Sequence, residues 1–398
     1  MKRSVRAYNH IWSVIFEQHC RAREKYYEKY ISNGIIFGKE RLMGSRRKFI
    51  TNSASAGIAG ILATGIAPAY AQNMNTVRVG QIGLGSHSFL LRFLNPPKTH
   101  TGKVKVVPAG VWDDEPGVSE VMSGRGYGKP YKSYEELTNE CDAVHIEHAD
   151  YRRVFDFARP ALEAGKPVFI NRPFTATIAD AEEIVRLSKA YDAPVMSPSS
   201  LEFQPVIKEM QAFVKENGPI RAYEAYCPEP HFTWHLPHVI NYVHAALGGG
   251  IDSAYFTGDY VMSLEARQDR VRKMGASLVV LTYKPRNGEP PIIGMNHIGI
   301  HPGSYHIDIY TASENRLFEA GMTDTAVMEH MFNALYDFYA KRIQPRPYEA
   351  LLEQHRALVA ANVSRLTGRA ASLDSLGGDD ALPWSESIRR YIIRRALN

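Results

Sequence analysis

Thr76-Val77-Arg78-Val79-Gly80-Gln81-Ile82 is a β-branched run that enters Gly83-Leu84-Gly85-Ser86-His87-Ser88. Phe89, Leu90, Leu91, Phe93 and Leu94 follow, and their apolar spacing predicts a helix. Strand, glycine turn and helix in that order form the context a dinucleotide fingerprint needs. Gly83 permits the tight turn, and Gly85 lets the backbone approach a pyrophosphate at a helix N-terminus. The third glycine of the motif is Ser88, small enough for close helix–strand packing but a departure.

The next strand supports the reading. Val104 to Trp112 ends in Asp113-Asp114, 30 residues after Gly83. An acid at that strand end accepts hydrogen bonds from the adenosine ribose hydroxyls and repels a 2′-phosphate, so NAD is expected over NADP. Strands then alternate with helices. Asp142 to Ile146 is a strand ending at Glu147-His148, and residues 151–164 form a helix closed by Gly165. Pro167 to Ile170 is a strand ending at Asn171-Arg172-Pro173, Ala179 to Tyr191 is helical, and Pro194 to Met196 is the next strand. That alternation predicts an α/β fold with a doubly wound parallel Rossmann sheet. Beyond residue 198 the pattern changes. Residues 219–227, 276–284, 290–300 and 304–320 read as strands, and 236–247, 325–342 and 347–366 as helices. This predicts a C-terminal α+β domain with a large, mostly antiparallel sheet.

Working outward, residues 1–71 carry 12 Lys/Arg against 4 Asp/Glu, so the chain's net charge of +5 belongs to this leader. No basic face with interleaved aromatics follows, so a nucleic-acid partner is not expected. With 398 residues, 44 % of them apolar and 22 % charged, the chain is neither disordered nor fibrous. Cys20, Cys141 and Cys227 lie too far apart for a disulfide scaffold or a zinc motif. No apolar run is long enough for a multi-span membrane protein.

Ser45-Arg46-Arg47-Lys48-Phe49 precedes a weakly apolar stretch from Ala54 to Ala67 and then Ala69-Tyr70-Ala71. A basic region, an apolar region and a small-x-small site make a secretory layout, and the arginine pair resembles a twin-arginine (Tat) export signal. The organisation expected is residues 43–71 as signal peptide, 72–198 as NAD-binding domain, 199–369 as substrate and oligomerisation domain, and 370–398 as a tail that packs as a short helix or joins a subunit contact. Residues 1–42 read either as translated upstream sequence or as an extended n-region, because Met43 is the better start. After cleavage no membrane association is expected, and the destination is the periplasm or the exterior.

Three stretches resemble the glucose–fructose oxidoreductase / inositol dehydrogenase / MocA family, over roughly residues 76–369. Glu163-Ala164-Gly165-Lys166-Pro167-Val168-Phe169-Ile170-Asn171-Arg172-Pro173-Phe174 resembles the family's Gly-Lys-His-Val-Phe-Val-Glu-Lys-Pro-Leu segment. His238 to Gly248 is similar to its Asp-x-x-x-His helix, and Ala360 to Gly368 to its closing helix. The resemblance implies an NAD-dependent oxidoreductase acting on a sugar, cyclitol or glycoside hydroxyl by hydride transfer. It also implies a homo-oligomer formed through the second-domain sheet. Some members are Tat-exported with a retained cofactor, which agrees with the leader.

Two departures fall where chemistry is expected. Glu-Lys-Pro is Asn171-Arg172-Pro173, and the Asp four before the histidine is Trp234. Arginine can orient a substrate oxygen but cannot serve as a base. His238 is therefore the expected general base and Arg172 the positioning group. The cofactor contacts are assigned to Gly83, Leu84, Gly85, Ser86, His87, Asp113, Glu147, Asn171 and Arg172. Trp234, His235, His231 and His297 are candidate substrate contacts, with His301 and His306 beside the last. His231, His235 and His238 would share a helix face, but Pro230 and Pro237 argue against one continuous helix, so no metal site is expected. The lost Lys and Asp also leave two alternatives open. One is a non-catalytic carbohydrate- or dinucleotide-binding protein. The other is an NAD-dependent glycoside-cleaving enzyme.

Overall fold

The computed structural model describes residues 75–85, 88–93, 104–228, 231–258, 277–286, 288–299, 305–320 and 325–384, together with 386, 389, 390 and 393. The expected export signal, Ser86, His87, Pro230 and His301 lie outside them.

The first sheet is wholly parallel. Its strands are β1 (Thr76–Ile82), β2 (Lys105–Trp112), β3 (Lys129–Pro130), β4 (Ala143–Ile146), β5 (Val168–Ile170) and β6 (Val195–Met196), in the spatial order β3-β2-β1-β4-β5-β6. The central strand β4 is buried throughout, as a sheet covered on both faces requires. The order turns back at β1, so a crevice opens between the C-terminal ends of β1 and β4.

The connecting helices are α1 (Val118–Gly124), α2 (Tyr134–Glu140), α3 (Val154–Glu163) and α4 (Ile178–Ala190). Their starts are legible in side chains that satisfy free backbone donors. Ser133 accepts the Glu136 N–H for α2, and Thr177 accepts the Asp180 N–H for α4. The helix expected after the glycine turn is instead a 3-10 turn over Ser88–Phe93. Its first residue is tied down, because Ser88 Oγ takes the Gly85 N–H and the Gln81 amide, each at 2.9 Å.

α5 (Val206–Asn217) leads into the second sheet. Its strands are β7 (Ile220–Cys227), β8 (Ile251–Gly258), β9 (Ser277–Tyr283), β10 (Ile293–Ile298), β11 (Tyr305–Thr311), β12 (Asn315–Ala320) and β13 (Ala371–Ser372). They run in the order β12-β11-β7-β10-β9-β8-β13, with only β7 and β10 parallel. Alternate residues face opposite sides. One side packs against α6 (Phe232–Leu247) and α8 (Tyr348–Thr367), and the other carries half-buried and exposed residues.

α6 corrects the expectation of a break. It runs unbroken through Pro237, which lies inside the helix. The missing N–H costs the bond to the Thr233 carbonyl. The buried apolar contacts of Leu236, Pro237, Val239 and Ile240 hold the helix through it.

α7 (Thr325–Lys341) returns to the first sheet. Met331, Leu335, Tyr336, Phe338 and Tyr339 pack with Val77, Val79, Phe169 and Met196, burying side chains worth about 1.5–3 kcal/mol each. The tail also returns. β13 adds to the edge of β8, and the Leu382 N–H donates to the Ala176 carbonyl at 2.8 Å. Trp384 packs edge-on to Tyr151, residues 386, 389, 390 and 393 are helical, and Ile393 is buried against Leu84 and Val111, so the end of the tail packs as a helix.

Candidate active site at the strand ends

The C-terminal ends of the first-sheet strands bring the chemistry together. β1 delivers Gly83-Leu84-Gly85, β2 delivers Asp113-Asp114, β4 delivers Glu147-His148, and β5 delivers Asn171-Arg172-Pro173. A serine-capped 3-10 turn after β6 (Ser200–Phe203) adds Ser199, and α6 adds His238.

Arg172 is half-buried. Its Nη1 donates to the Pro198 carbonyl at 3.0 Å and its Nη2 meets His238 Nε2 at 2.7 Å. A guanidinium only donates, so His238 Nε2 is the acceptor and the ring proton sits on Nδ1. Nδ1 in turn lies 2.7 Å from Ser199 Oγ, which also accepts the Leu201 N–H. The ring is thus fixed in the tautomer a general base needs, with its lone pair towards Arg172. Burial pulls the guanidinium down to about 10, partly opposed by Tyr305, Glu147 and Glu202. Arg172 therefore stays charged at neutral pH and is not the base.

A second layer holds this pair. Asn241, with its amide turned to satisfy both ends, donates to the Pro237 carbonyl and to Gln354 Oε1 at 3.1 Å each and accepts the Ser199 N–H at 3.3 Å. Gln354 is bonded by Arg346, which also pairs with the buried Glu202. Glu202 closes a capping box by accepting the Ser199 N–H at 3.1 Å.

His355 lines the cavity behind Arg172 together with Phe174 and Asn241. Its Nε2–H donates to Thr175 Oγ1 at 3.0 Å and the Thr177 carbonyl at 3.2 Å. Burial lowers this imidazole from 6.5 to about 4. The unfolded chain takes up the proton that the folded chain refuses, so stability falls as pH drops from about 6.5 towards 4. Between pH 7 and pH 5 this residue alone removes about 2 kcal/mol. Thermal melts at those two pH values check this. His355→Gln should show a smaller acid-induced fall in Tm than the unmodified protein.

Asp113 is buried at the end of β2. Its Oδ2 accepts the Leu84 N–H at 2.9 Å and its Oδ1 the Glu115 N–H at 2.8 Å. Burial raises its pKa, with His148 opposing. Asp114 is held far below the usual carboxylate range, first by its bond to His148, with Arg389 and Arg153 beside it. Asp113, Asp114 and His148 are close enough to share an ion, and His148 Nε2 is already paired with Asp114.

The residues fit a dinucleotide. Each Asp113 oxygen accepts one backbone N–H and keeps a lone pair for a ribose hydroxyl. The turn cannot carry a side chain. Gly83 has φ +82°, and a Cβ on Gly85 would lie 2.4 Å from Glu147 Oε2. The close approach that requires Gly85 is therefore to Glu147, and its N–H is used by Ser88. An Asp113→Asn variant keeps an acceptor for Leu84 and removes the charge. NADH is expected to bind the unmodified protein at least about tenfold more tightly than NADPH, with the variant narrowing that gap. Paired fluorescence titrations test it, and equal affinities in the unmodified protein would contradict it.

The substrate candidates divide. His231, Trp234 and His235 stand on or next to the first turn of α6. The rings of His231 and His235 are 5.5 Å apart, and those of His235 and His238 are 6.1 Å apart and stacked. The three imidazoles form a file leading to Arg172 and do not converge on a point. His297 corrects the expectation. It stacks on Tyr226 at 4.6 Å, with His306 on that ring's other side, on the opposite face of the sheet from Tyr305, which lies 5.5 Å from His238. The sequence reading missed Ser199, although Ser-x-x-Glu is a recognisable cap. It also missed Tyr305 and Tyr339, which carry no local signal.

Residues 77–213 match the oxidoreductase family with an NAD-binding Rossmann fold known as GFO_IDH_MocA. This part of the chain is similar to the NAD-binding Rossmann domain of that family. Two curated proteins are also similar to part of the chain. The uncharacterized oxidoreductase YhhX of Escherichia coli is 30 % identical over 145 residues, which cover 34 % of this chain and 39 % of the relative. An uncharacterized protein of Saccharomyces cerevisiae, YMR315W, is 27 % identical over 99 residues, covering 24 % of this chain and 28 % of its own. The chain thus matches less than half the length of either relative. The likeness to solved structures is one of fold. The scyllo-inositol dehydrogenase of Lactobacillus casei has a TM-score of 0.60 at 14 % identity, covering 75 % of this chain and 99 % of that one. GenD2 from gentamicin A biosynthesis, solved in complex with NAD, has a TM-score of 0.61 at 11 % identity, covering 75 % and 96 %.

Proposed function

We propose that the protein is an NAD(H)-dependent oxidoreductase acting on a hydroxyl of a sugar, cyclitol or glycoside. The observation that carries this reading is the 2.7 Å contact between Arg172 and His238 at the C-terminal edge of a Gfo/Idh/MocA Rossmann sheet. The inositol dehydrogenase among its structural neighbours supports the substrate class. When bound, the nicotinamide supplies hydride acceptance and donation. The protein supplies the rest. Arg172 donates to the substrate oxygen and orients it. His238 Nε2 takes the hydroxyl proton as the C–H hydride leaves, and Ser199 keeps the ring in the accepting tautomer. Trp234 offers an apolar ring beside the histidine file for a sugar face. The test is hydride transfer from a panel of sugars and cyclitols, read as NADH formation.

One observation favours a second reading, in which the site binds but does not react. Arg172 already occupies the lone pair that a base would use. NADH binding with no hydride transfer to any sugar would favour it.

Export by the Tat route is part of the same proposal. Replacing Arg46 and Arg47 by lysine should leave uncleaved precursor in the cytoplasm. The mature N-terminus should lie near Gln72, and N-terminal sequencing that finds it elsewhere would contradict the cleavage site.

A further inference from the structure

The last stretch of the chain crosses the strand ends of the first sheet towards the adenosine end of the crevice. It begins at β13, where the chain leaves the second sheet. The Leu382 N–H donates to the Ala176 carbonyl beyond β5, and Asn362 Nδ2 donates to the Ala381 carbonyl at 2.7 Å. Tyr151, beyond β4, donates its hydroxyl to the Pro383 carbonyl and packs against Trp384. The Arg152 guanidinium lies over the Trp384 ring at 4.6 Å. Up to Trp384 the segment is therefore tied by backbone and ring contacts.

Beyond it the attachment changes. Arg389 and Ile393 stand four apart in the terminal helix, on one face. Arg389 Nη2 pairs with Asp114 and lies 3.6 Å from Glu115, both at the end of β2. Ile393 is buried in an apolar group with Leu84 of the glycine turn, Val111 of β2, and Val118 and Met122 of α1. Arg390 is exposed and faces Glu386 of its own helix at 3.9 Å. Among the described residues this helix makes no backbone hydrogen bond to the rest of the chain. An ion pair and an aliphatic side chain anchor it, so it lifts at far smaller cost than the sheet beneath it unfolds. Asp113 lies between the two anchors. Arg389 holds the next residue, and Ile393 packs on Leu84, whose N–H Asp113 Oδ2 accepts. Asp113 is 8 % exposed with the helix in this position.

We propose that the C-terminal helix is a strap across the adenosine end of the crevice that must lift for a dinucleotide to enter or leave, with the Arg389–Asp114 pair as its latch. This rests on the dinucleotide reading above, in which Asp113 takes the adenosine ribose. It adds a control of cofactor exchange that the strand-end residues alone do not supply. The latch joins two parts of the protein and does not touch the cofactor. Weakening it raises the open fraction with and without cofactor, so both directions of exchange speed up and the affinity is kept.

The experiment is stopped-flow fluorescence of NADH association, and of NADH displacement by excess NAD, on the full chain. Arg389→Met keeps an unbranched stem and removes the charge. It should raise the association and dissociation rates each by about threefold or more, with Kd kept within about twofold. Asp114→Asn cuts the same pair from the other side, and adding Arg389→Met to it should change the rates little further. Ile393→Ala loosens the other anchor and should also speed both directions. Arg390→Met, on the exposed side of the same helix, should leave both rates unchanged. Three outcomes would overturn the proposal. Unchanged rates in both Arg389→Met and Ile393→Ala would show that the helix does not gate exchange. Faster dissociation alone, with a weaker Kd, would make Arg389 a direct contact of the cofactor. Faster association alone, with a tighter Kd, would make the helix a competitor for the site. Failure of the dinucleotide reading would look different, because the unmodified protein would then bind no NADH, and the strap would lose its role with it.

Discussion

His238→Ala lowers the rate of the chemical step by about 10²–10⁴-fold, the range for loss of a general base. NADH affinity stays unchanged, because Asp113 is delivered by β2 and does not touch the imidazole. Removing the ring also takes away the acceptor for Arg172 Nη2 and the partner of Ser199 Oγ, so KM for the sugar rises modestly. His238→Gln is the informative companion. It can accept from Arg172 and donate to Ser199 but cannot take up a proton at neutral pH, so binding should recover while turnover stays low. Single-turnover kinetics at saturating NAD separate the two effects. Turnover by His238→Ala equal to that of the unmodified protein would move the base elsewhere, with His235, next along the file, as the first candidate.

The second large effect is expected at Arg172. Arg172→Met removes the donor to the Pro198 carbonyl and to His238 Nε2, and kcat/KM should fall by about 100-fold or more. Arg172→Lys keeps the charge but not the two-armed reach, and should lose about tenfold. Neither loss should be accompanied by a large fall in Tm, because replacing an enclosed, desolvated cation by a side chain of similar size is often close to neutral. The lowered ionisation of Arg172 has a kinetic consequence. As pH rises through about 10 the guanidinium loses its proton, the substrate oxygen loses its donor, and kcat/KM falls. Arg172→Met should lack that alkaline limb. A limb of the same position and depth in Arg172→Met would assign it to another group.

The fold was legible because its evidence is local. The run from Thr76 to Ile82 followed by Gly83 and Gly85, and the alternation of short strands with capped helices, need no knowledge of distant contacts. His238 and Arg172 could also be named from sequence, since each aligns with a reactive position of a known pattern. Their direct contact could not. It joins residues 66 apart through the packing of α6 on the strand ends. Pro237 misled because the rule against proline in helices is one of local cost, and tertiary burial of α6 outweighs that cost. His297 misled for a different reason. Its register on β10 puts it beside Tyr226 on the open face, and one residue of shift would have turned it inward. Tyr339 lies 194 residues from His145, so their hydrogen bond exists only after α7 has folded back onto the first sheet.

The most direct test of the account is isotopic. The protein is incubated with NAD and a panel of sugars and cyclitols deuterated at their carbinol carbons, and the recovered cofactor is analysed by mass spectrometry. The account predicts deuterium in the nicotinamide ring with at least one of these compounds, and its loss in His238→Ala. Cofactor that is bound and recovered without deuterium from every compound would contradict it.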